Sequence, residues 1–403
     1  MKSFSQWGGA CLMTLAMALG LSATARGDEG ETGITDRSTR PCVACSAASC
    51  AEQQDPPLGL LPGPIGDSPT AGAFGPSSIP IYSAPIFGTR FVLGYTNYNI
   101  SPQLIFGSAK LTDNTSPIPQ DRFIFDYSGY SGADTLLGRN AANSFSPGIE
   151  KTFFGGLASI EVRMPMNLSP DPSQTVDGTP NLSAGQWGDI MVTSKLVVYQ
   201  DKELAVSAGI RTVLPTAPDI QLQQSDGTVL VDVKNQSIRL DPFIGFLWVP
   251  NDKFFLQGFL QYDVDANGSP VLMPDGPGTS TLAETGRIHS MLFQYIDISA
   301  ARWLYKNPHA IIHGIAAVAE LHWNQGLQPG EYATAPYDPN FIFGNTATSV
   351  SSLDMTVGAH VLLSENNTLS LGYVTPIGNR AAQPFDGEFR LTLNHFFGPR
   401  TGE

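Results

Sequence analysis

Between Phe87 and Phe397 apolar residues return at every second position, the spacing that puts them on one face of a β-strand. Leu204, Val206, Ala208 and Ile210 form one such face, with Ala205, Ser207, Gly209 and Arg211 opposite. Leu353, Met355, Val357, Ala359 and Val361 face away from Asp354, Thr356, Gly358 and His360. Ile238, Leu240, Ile244, Phe246 and Trp248 oppose Arg239, Asp241 and Gly245. The last segment sets Phe389, Leu391, Leu393 and Phe397 against Glu388, Arg390, Thr392 and Asn394. Fourteen segments of this kind are read: near 88–96, 103–111, 121–129, 143–152, 156–164, 187–199, 203–213, 236–249, 252–263, 288–304, 310–323, 346–363, 368–376 and 387–397. Those at 288–304 and 310–323 do not alternate cleanly, and their facing stays open.

The connections constrain the fold further. Phe153–Gly156, Gln200–Glu203, Pro250–Lys253, Lys306–His309 and Ser364–Asn367 are tight turns, while 165–186, 214–235, 264–287, 324–345 and 377–386 are long. The two ends of a sandwich are equivalent and give no reason for such alternation. A membrane barrel has short periplasmic turns and longer external loops. With the C-terminal strand ending in the periplasm, every short turn falls there, and an even strand number returns both barrel ends to that side. Hydrocarbon demands closure, because each bare N–H or C=O of a sheet edge costs several kcal/mol there. The expected fold is all-β: a single antiparallel transmembrane β-barrel of about 14 strands, preceded by a Pro-rich N-terminal extension.

Aromatic residues cluster at strand ends. Tyr199, Trp248, Phe254, Trp303, Tyr305, Phe396 and Phe397 lie beside short turns or the C-terminus, and Tyr95, Tyr127, Trp187, Tyr262, Trp323 and Tyr373 near the opposite ends. Two such rings around an apolar band are what a bilayer selects. Composition agrees: charged residues are 14% of the chain, against roughly 25% in soluble domains. A net charge of −14 excludes a nucleic-acid partner, which needs clustered Lys and Arg.

Residues 1–25 read as a cleaved signal peptide: Lys2, an apolar run from Cys11 to Leu21, then Ala23-Thr24-Ala25. Residues 26–87 form a Cys/Pro-rich extension or plug, 88–397 the barrel, and 398–403 a short tail after Phe397. Cys42, Cys45 and Cys50 read as a local disulfide with one thiol left over, since an exported chain meets an oxidising compartment.

With apolar faces turned to lipid, the other faces line the interior. A charge facing lipid at mid-bilayer costs about 2–4 kcal/mol, so Glu161, Arg163, Lys195, Arg211, Arg239, Asp241, Asp354, His360, Glu388 and Arg390 are expected inside, with Arg90, Arg122, Asp126, Asp189, Gln257 and Gln261. Glu161 with Arg163 and Glu388 with Arg390 lie two apart on one face, as either a charged constriction or a ladder of structural ion pairs. There is no G-x-S-x-G elbow, no H-E-x-x-H and no phosphate-binding loop, so no catalytic, cofactor or metal site is expected. Asp263-x-Asp265-x-Asn267-Gly268 resembles the start of a calcium loop, but Asp275 falls one place too late for the closing ligand.

Ser116-Pro117-Ile118-Pro119-Gln120-Asp121-Arg122-Phe123 and the run from Gly148 to Pro165 resemble a group of outer-membrane proteins widespread in planctomycetes. The architecture is similar to the fatty-acid and aromatic-hydrocarbon transporter class, including barrels encoded near phenol-degradation pathways. That resemblance implies a fourteen-stranded barrel with an N-terminal plug in the outer membrane, carrying small, including hydrophobic, solutes. Outer-membrane lipids and the barrel-assembly machinery are the implied partners. The alternatives are a non-transporting envelope or surface-binding scaffold and a secreted β-sandwich adhesin.

Overall fold

The computed structural model describes residues 61–67, 77–83, 90–98, 110–135, 138–168, 173–176, 185–277, 279–378 and 385–397. The signal segment, Cys42, Cys45, Cys50 and the tail 398–403 lie outside the described residues. Twelve strands form a closed antiparallel ring: β3 (Arg122–Thr135), β4 (Gly138–Phe153), β5 (Ala158–Arg163), β9 (Ile190–Gln200), β10 (Leu204–Leu214), β13 (Arg239–Asn251), β14 (Phe254–Asp265), β17 (Phe293–Lys306), β18 (Gly314–Gly326), β21 (Ser351–Ser364), β22 (Asn367–Ile377) and β23 (Gly387–Phe396). β3 closes the ring by pairing with both β4 and β23, so Arg122 stands opposite Glu150 on one side and Phe396 on the other. Two short strands, β6 (Met166–Leu168) and β8 (Gly185–Trp187), extend the sheet beside β4 without joining the ring.

The barrel thus has twelve strands and not fourteen. Of the two segments in excess, 88–96 overlaps β2 (Val92–Tyr98), which belongs to a separate sheet. Most of 103–111 lies outside the described residues; its last two, Lys110 and Leu111, are buried and belong to no strand. Period-two alternation marks any half-buried strand, so it cannot tell a barrel stave from a strand in a neighbouring layer. Twelve is still even, and the five tight turns lie at one end of the ring together with the start of β3 and the end of β23. Because one sheet closes on itself, the chain is not a two-sheet sandwich.

The long connections carry strands of their own. β1 (Ser77–Tyr82), β2, β19 (Tyr332–Ala335) and β20 (Asp338–Gly344) make a four-stranded sheet. β7 (Ser173–Thr175), β11 (Ile220–Gln223), β12 (Val229–Val233), β15 (Ser269–Pro274) and β16 (Leu282–Ile288) make a five-stranded one. Both contribute to one apolar cluster that includes Ile79, Leu222, Val231, Met273, Phe341 and Phe343. This cap has its own core, so Phe341→Ala is expected to cost about 3–5 kcal/mol of local stability. Hydrogen exchange should then speed up in β15, β19 and β20 and stay unchanged in the staves; acceleration throughout the ring would show that cap and barrel unfold as one.

Burial around the ring is inverted relative to a soluble protein. Ile160, Leu196, Ile210, Ile298, Leu321, Val357 and Leu393 point outward and are exposed, while Arg122, Glu150, Arg163, Arg211, Asp297, Glu320 and Glu388 point inward and are buried. Outward aromatics include Tyr199, Trp248 and Tyr305 near the tight turns and Trp187, Trp323 and Tyr373 towards the other end. Three expected ring members differ. Trp303 faces inward against Phe255, Phe396 is buried on the inward face of β23, and Tyr95 belongs to β2 in the cap sheet. The structure also settles the facing of the two ambiguous segments. Asp297, Ser299 and Ala301 of β17 and Glu320, His322 and Asn324 of β18 face inward.

Candidate functional site

Two stretches of chain that belong to no strand, 61–67 and 110–120, are buried throughout. Leu61, Ile65 and Ile118 pack on interior wall residues including Leu247, Phe255, Trp303 and Val318, and Leu111 packs on Phe243 and Phe259. Hydrogen bonds fix the rest. Gln257 donates to the Pro62 carbonyl at 2.8 Å and Gln120 to the Leu61 carbonyl at 3.0 Å. The Leu111 N–H donates to Gln261 at 3.1 Å. Glu320 accepts from the Ile65 and Gly66 N–H groups at 2.9 and 2.8 Å, and Thr356 donates to the Gly66 carbonyl at 3.0 Å. The wall is shaped for the first stretch: Gly358 and Gly372 pair across β21 and β22, and a Cβ on Gly372 would stand 2.8 Å from Ile65 Cγ2.

Sheet register builds the first polar cluster. Arg122, Glu150 and Glu161 lie in one row across β3, β4 and β5, which sets two carboxylates directly opposite each other. Like charges in that position repel, and cations answer them. Arg122 bonds Glu150 at 2.8 Å and Glu161 at 3.1 Å, and Lys195 reaches Glu150 at 3.0 Å. Arg163 bonds Glu161 at 2.7 Å and Asp126 at 2.9 Å. The same groups grip the inserted chain. Arg163 donates to the Asp113 carbonyl at 2.5 Å and Lys195 to the Ser116 carbonyl at 2.6 Å, while Arg390 pairs with the Asp113 carboxylate at 2.9 Å and with Glu388 at 3.2 Å.

Other expected interior groups are also placed. Arg211 is buried opposite Asp241 in register and donates to Thr193 at 3.1 Å. Arg239 pairs with Asp263. His360 bonds Ser370 at 2.7 Å and stacks on Phe255. Asp354 accepts from Asn324 at 3.0 Å. Asp189 lies just before β9 and caps a loop, accepting from Thr216, Ala217 and Asn235. Arg90 departs from expectation: it sits outside the ring, before β2, and pairs with Asp226 of the loop between β11 and β12. In the calcium-like loop, Asp265 accepts from the Asn267, Gly268 and Ser290 N–H groups, so its carboxylate organises the turn.

The second polar cluster is formed largely by residues that the alternation left unassigned. Asp297, His322 and Asp354 form one row across β17, β18 and β21, with Ser299, Glu320 and Thr356 in another. Asp67 and Lys110 enter from the two inserted stretches. The Lys110 ammonium donates to Asp67 at 2.7 Å, Asp297 at 2.5 Å and Asn324 Oδ1 at 2.8 Å. His322 Nδ1 lies 2.8 Å from Asp297, and Nε2 lies 3.1 Å from Thr356 Oγ1. Asp67, Asp297 and His322 lie close enough together to hold a cation, and that position is taken by Lys110. The sequence signal for this cluster was polar and not apolar: Asp297 and Ser299, then Glu320, His322 and Asn324, recur at period two.

No family model matches the chain, and no curated protein compared with it matches either. Among solved structures, it is similar to an outer-membrane channel from Pseudomonas putida F1, with a TM-score of 0.44 and 10% identity over 70% of this chain and 97% of that one. It is also similar to the toluene transporter TodX of Pseudomonas putida, with a TM-score of 0.36 and 9% identity over 80% of this chain and 95% of that one. The NanC porin aligns with a TM-score of 0.38 and 11% identity over 68% of this chain and 100% of that one. Likeness this shallow says nothing of solute or chemistry.

Proposed function

We propose that the chain is an outer-membrane barrel channel or transporter for small solutes, held closed by the 61–67 and 110–120 stretches. Inverted burial carries this reading: a closed ring that exposes apolar side chains and buries charged ones is poorly arranged for water and well arranged for hydrocarbon. A twelve-stranded ring is narrower than the 16–18-stranded porins with open aqueous channels, and its charged lining suits polar solutes better than hydrophobic ones. Export through a cleaved signal peptide, assembly by the envelope's barrel machinery and contact with outer-membrane lipids belong to the same proposal. A purified chain that stayed monomeric and dissolved without detergent would end it.

Gly372→Val tests the closed state. The new side chain meets the Ile65 side chain first and the Thr356 methyl next, with no backbone among its nearest contacts, so it should push the 61–67 stretch off the wall. In planar bilayers the variant should show several-fold more open time than the unaltered protein. The scaffold reading draws on the interior, where the inserted stretches pack on the wall and buried charged groups pair with one another. Silence of both proteins at every voltage, with no solute uptake into liposomes, would favour the scaffold.

A further inference from the structure

We infer that the Asp67–Asp297–Asn324 cage is a binding site for a primary ammonium group, filled in this structure by the chain's own Lys110. Its use by a passing solute rests on the channel reading; the site itself does not.

The cage matches the donor, not just its charge. A primary ammonium carries three N–H donors on a compact head, and three oxygens meet the Lys110 nitrogen at 2.7, 2.5 and 2.8 Å. A quaternary ammonium has no such donors, and a planar guanidinium spreads its own over a fork. The face of Tyr295 lies 5.0 Å from the nitrogen, where an aromatic ring attracts a cation.

The acceptors do not depend on Lys110 for their positions. His322 also contacts Asp297 at 2.8 Å and Asp67 at 3.3 Å, and Asn324 Nδ2 donates to Asp67 at 3.2 Å and to Asp354 at 3.0 Å. Asp67 arrives on the stretch gripped by Glu320 and Thr356, whereas Lys110 arrives on the other. Withdrawal of Lys110 therefore leaves the cage standing and short of a cation. Four buried carboxylates, those of Asp67, Asp297, Glu320 and Asp354, gather around one ammonium and one imidazole. One carboxylate oxygen of the cage, Asp297 Oδ2, is buried without a hydrogen-bond partner, so the wall has acceptor capacity that Lys110 does not use. A solute bearing a primary amine could compete with Lys110 here and loosen the 110–120 stretch.

Chemical rescue tests the site without needing conduction. Full-length Lys110→Ala, folded in detergent, is melted in methylammonium chloride, sodium chloride and tetramethylammonium chloride at equal concentration. Methylammonium alone should raise the melting temperature, by about 2–4 °C at roughly tenfold excess over its Kd. The unaltered protein, and Lys110→Met with its stem still filling the cage, should not respond. If Lys110→Ala does not fold by itself, refolding yield in the three salts reads the same preference. Equal effects of the three salts, an equal response of the unaltered protein, or no rescue in methylammonium would overturn the inference. Silent bilayers with successful rescue would remove only the solute role and leave the ammonium site.

Discussion

Ile298→Arg is expected to prevent insertion of the barrel into a bilayer, while Leu304→Arg, six residues along the same strand and face, should be tolerated. Ile298 lies midway between outward Gln294 and outward Arg302 on β17, with Leu321 opposite it on β18 and its own side chain exposed. In water an exposed Ile→Arg change is close to neutral, since surface substitutions usually fall within about 0.5 kcal/mol. Facing hydrocarbon at mid-depth, the same arginine costs about 2–4 kcal/mol, which is roughly a 30- to 1,000-fold loss of the folded, inserted form. Leu304 lies beyond Arg302 at the tight-turn end, where a guanidinium reaches the interface and the cost falls to about 0–1 kcal/mol. Folding yield into liposomes, scored by heat-modifiable gel mobility, separates the two. Equal yields would mean that this face never meets hydrocarbon.

β17 also shows what the sequence made legible and what it hid. The staves were readable because an exposed apolar face on one side and a buried polar face on the other give near-strict alternation, as in β10 and β21. In β17 and β18 the inner face mixes apolar Ala301, Trp303, Ala316 and Val318 with polar Asp297 and Glu320, because an inserted chain packs against part of it. Hydrophobicity then no longer separates inside from outside. The inserted stretches were hidden for another reason: their partners are remote. Ile65 and Gly66 meet Glu320, separated by 255 and 254 positions, and no local pattern encodes such a contact. The ion pairs were half visible. Glu161 and Arg163 are neighbours on one strand face, but the register that adds Arg122 and Glu150 follows from which strands close the ring. Counting β2 as a stave would have moved that closure elsewhere.

Arg163→Met should cause a large loss of stability. The guanidinium is buried and bonds Glu161, Asp126, the Asp113 and Asn114 carbonyls and the Thr115 hydroxyl, so one side chain ties two staves to the inserted stretch. Methionine fills similar volume but leaves two buried carboxylates with fewer counter-charges. Breaking a buried pair from one side costs about 3–5 kcal/mol, a fall of roughly 6–20 °C in melting temperature. Arg122 still reaches Glu161 and Asn114 still donates to Asp126, which places the expectation at the lower part of that span. Two further variants separate charge from grip. Arg163→Met with Asp126→Asn removes one stranded charge and should recover more than about 1 kcal/mol beyond additivity. Arg163→Lys keeps the charge but cannot span carboxylates and carbonyls together, so it should retain most stability and still loosen residues 113–115. If those residues close the pathway, Arg163→Lys will conduct more than the unaltered protein despite melting near it. Conductance that tracked melting temperature across all three variants would instead assign Arg163 to fold stability alone.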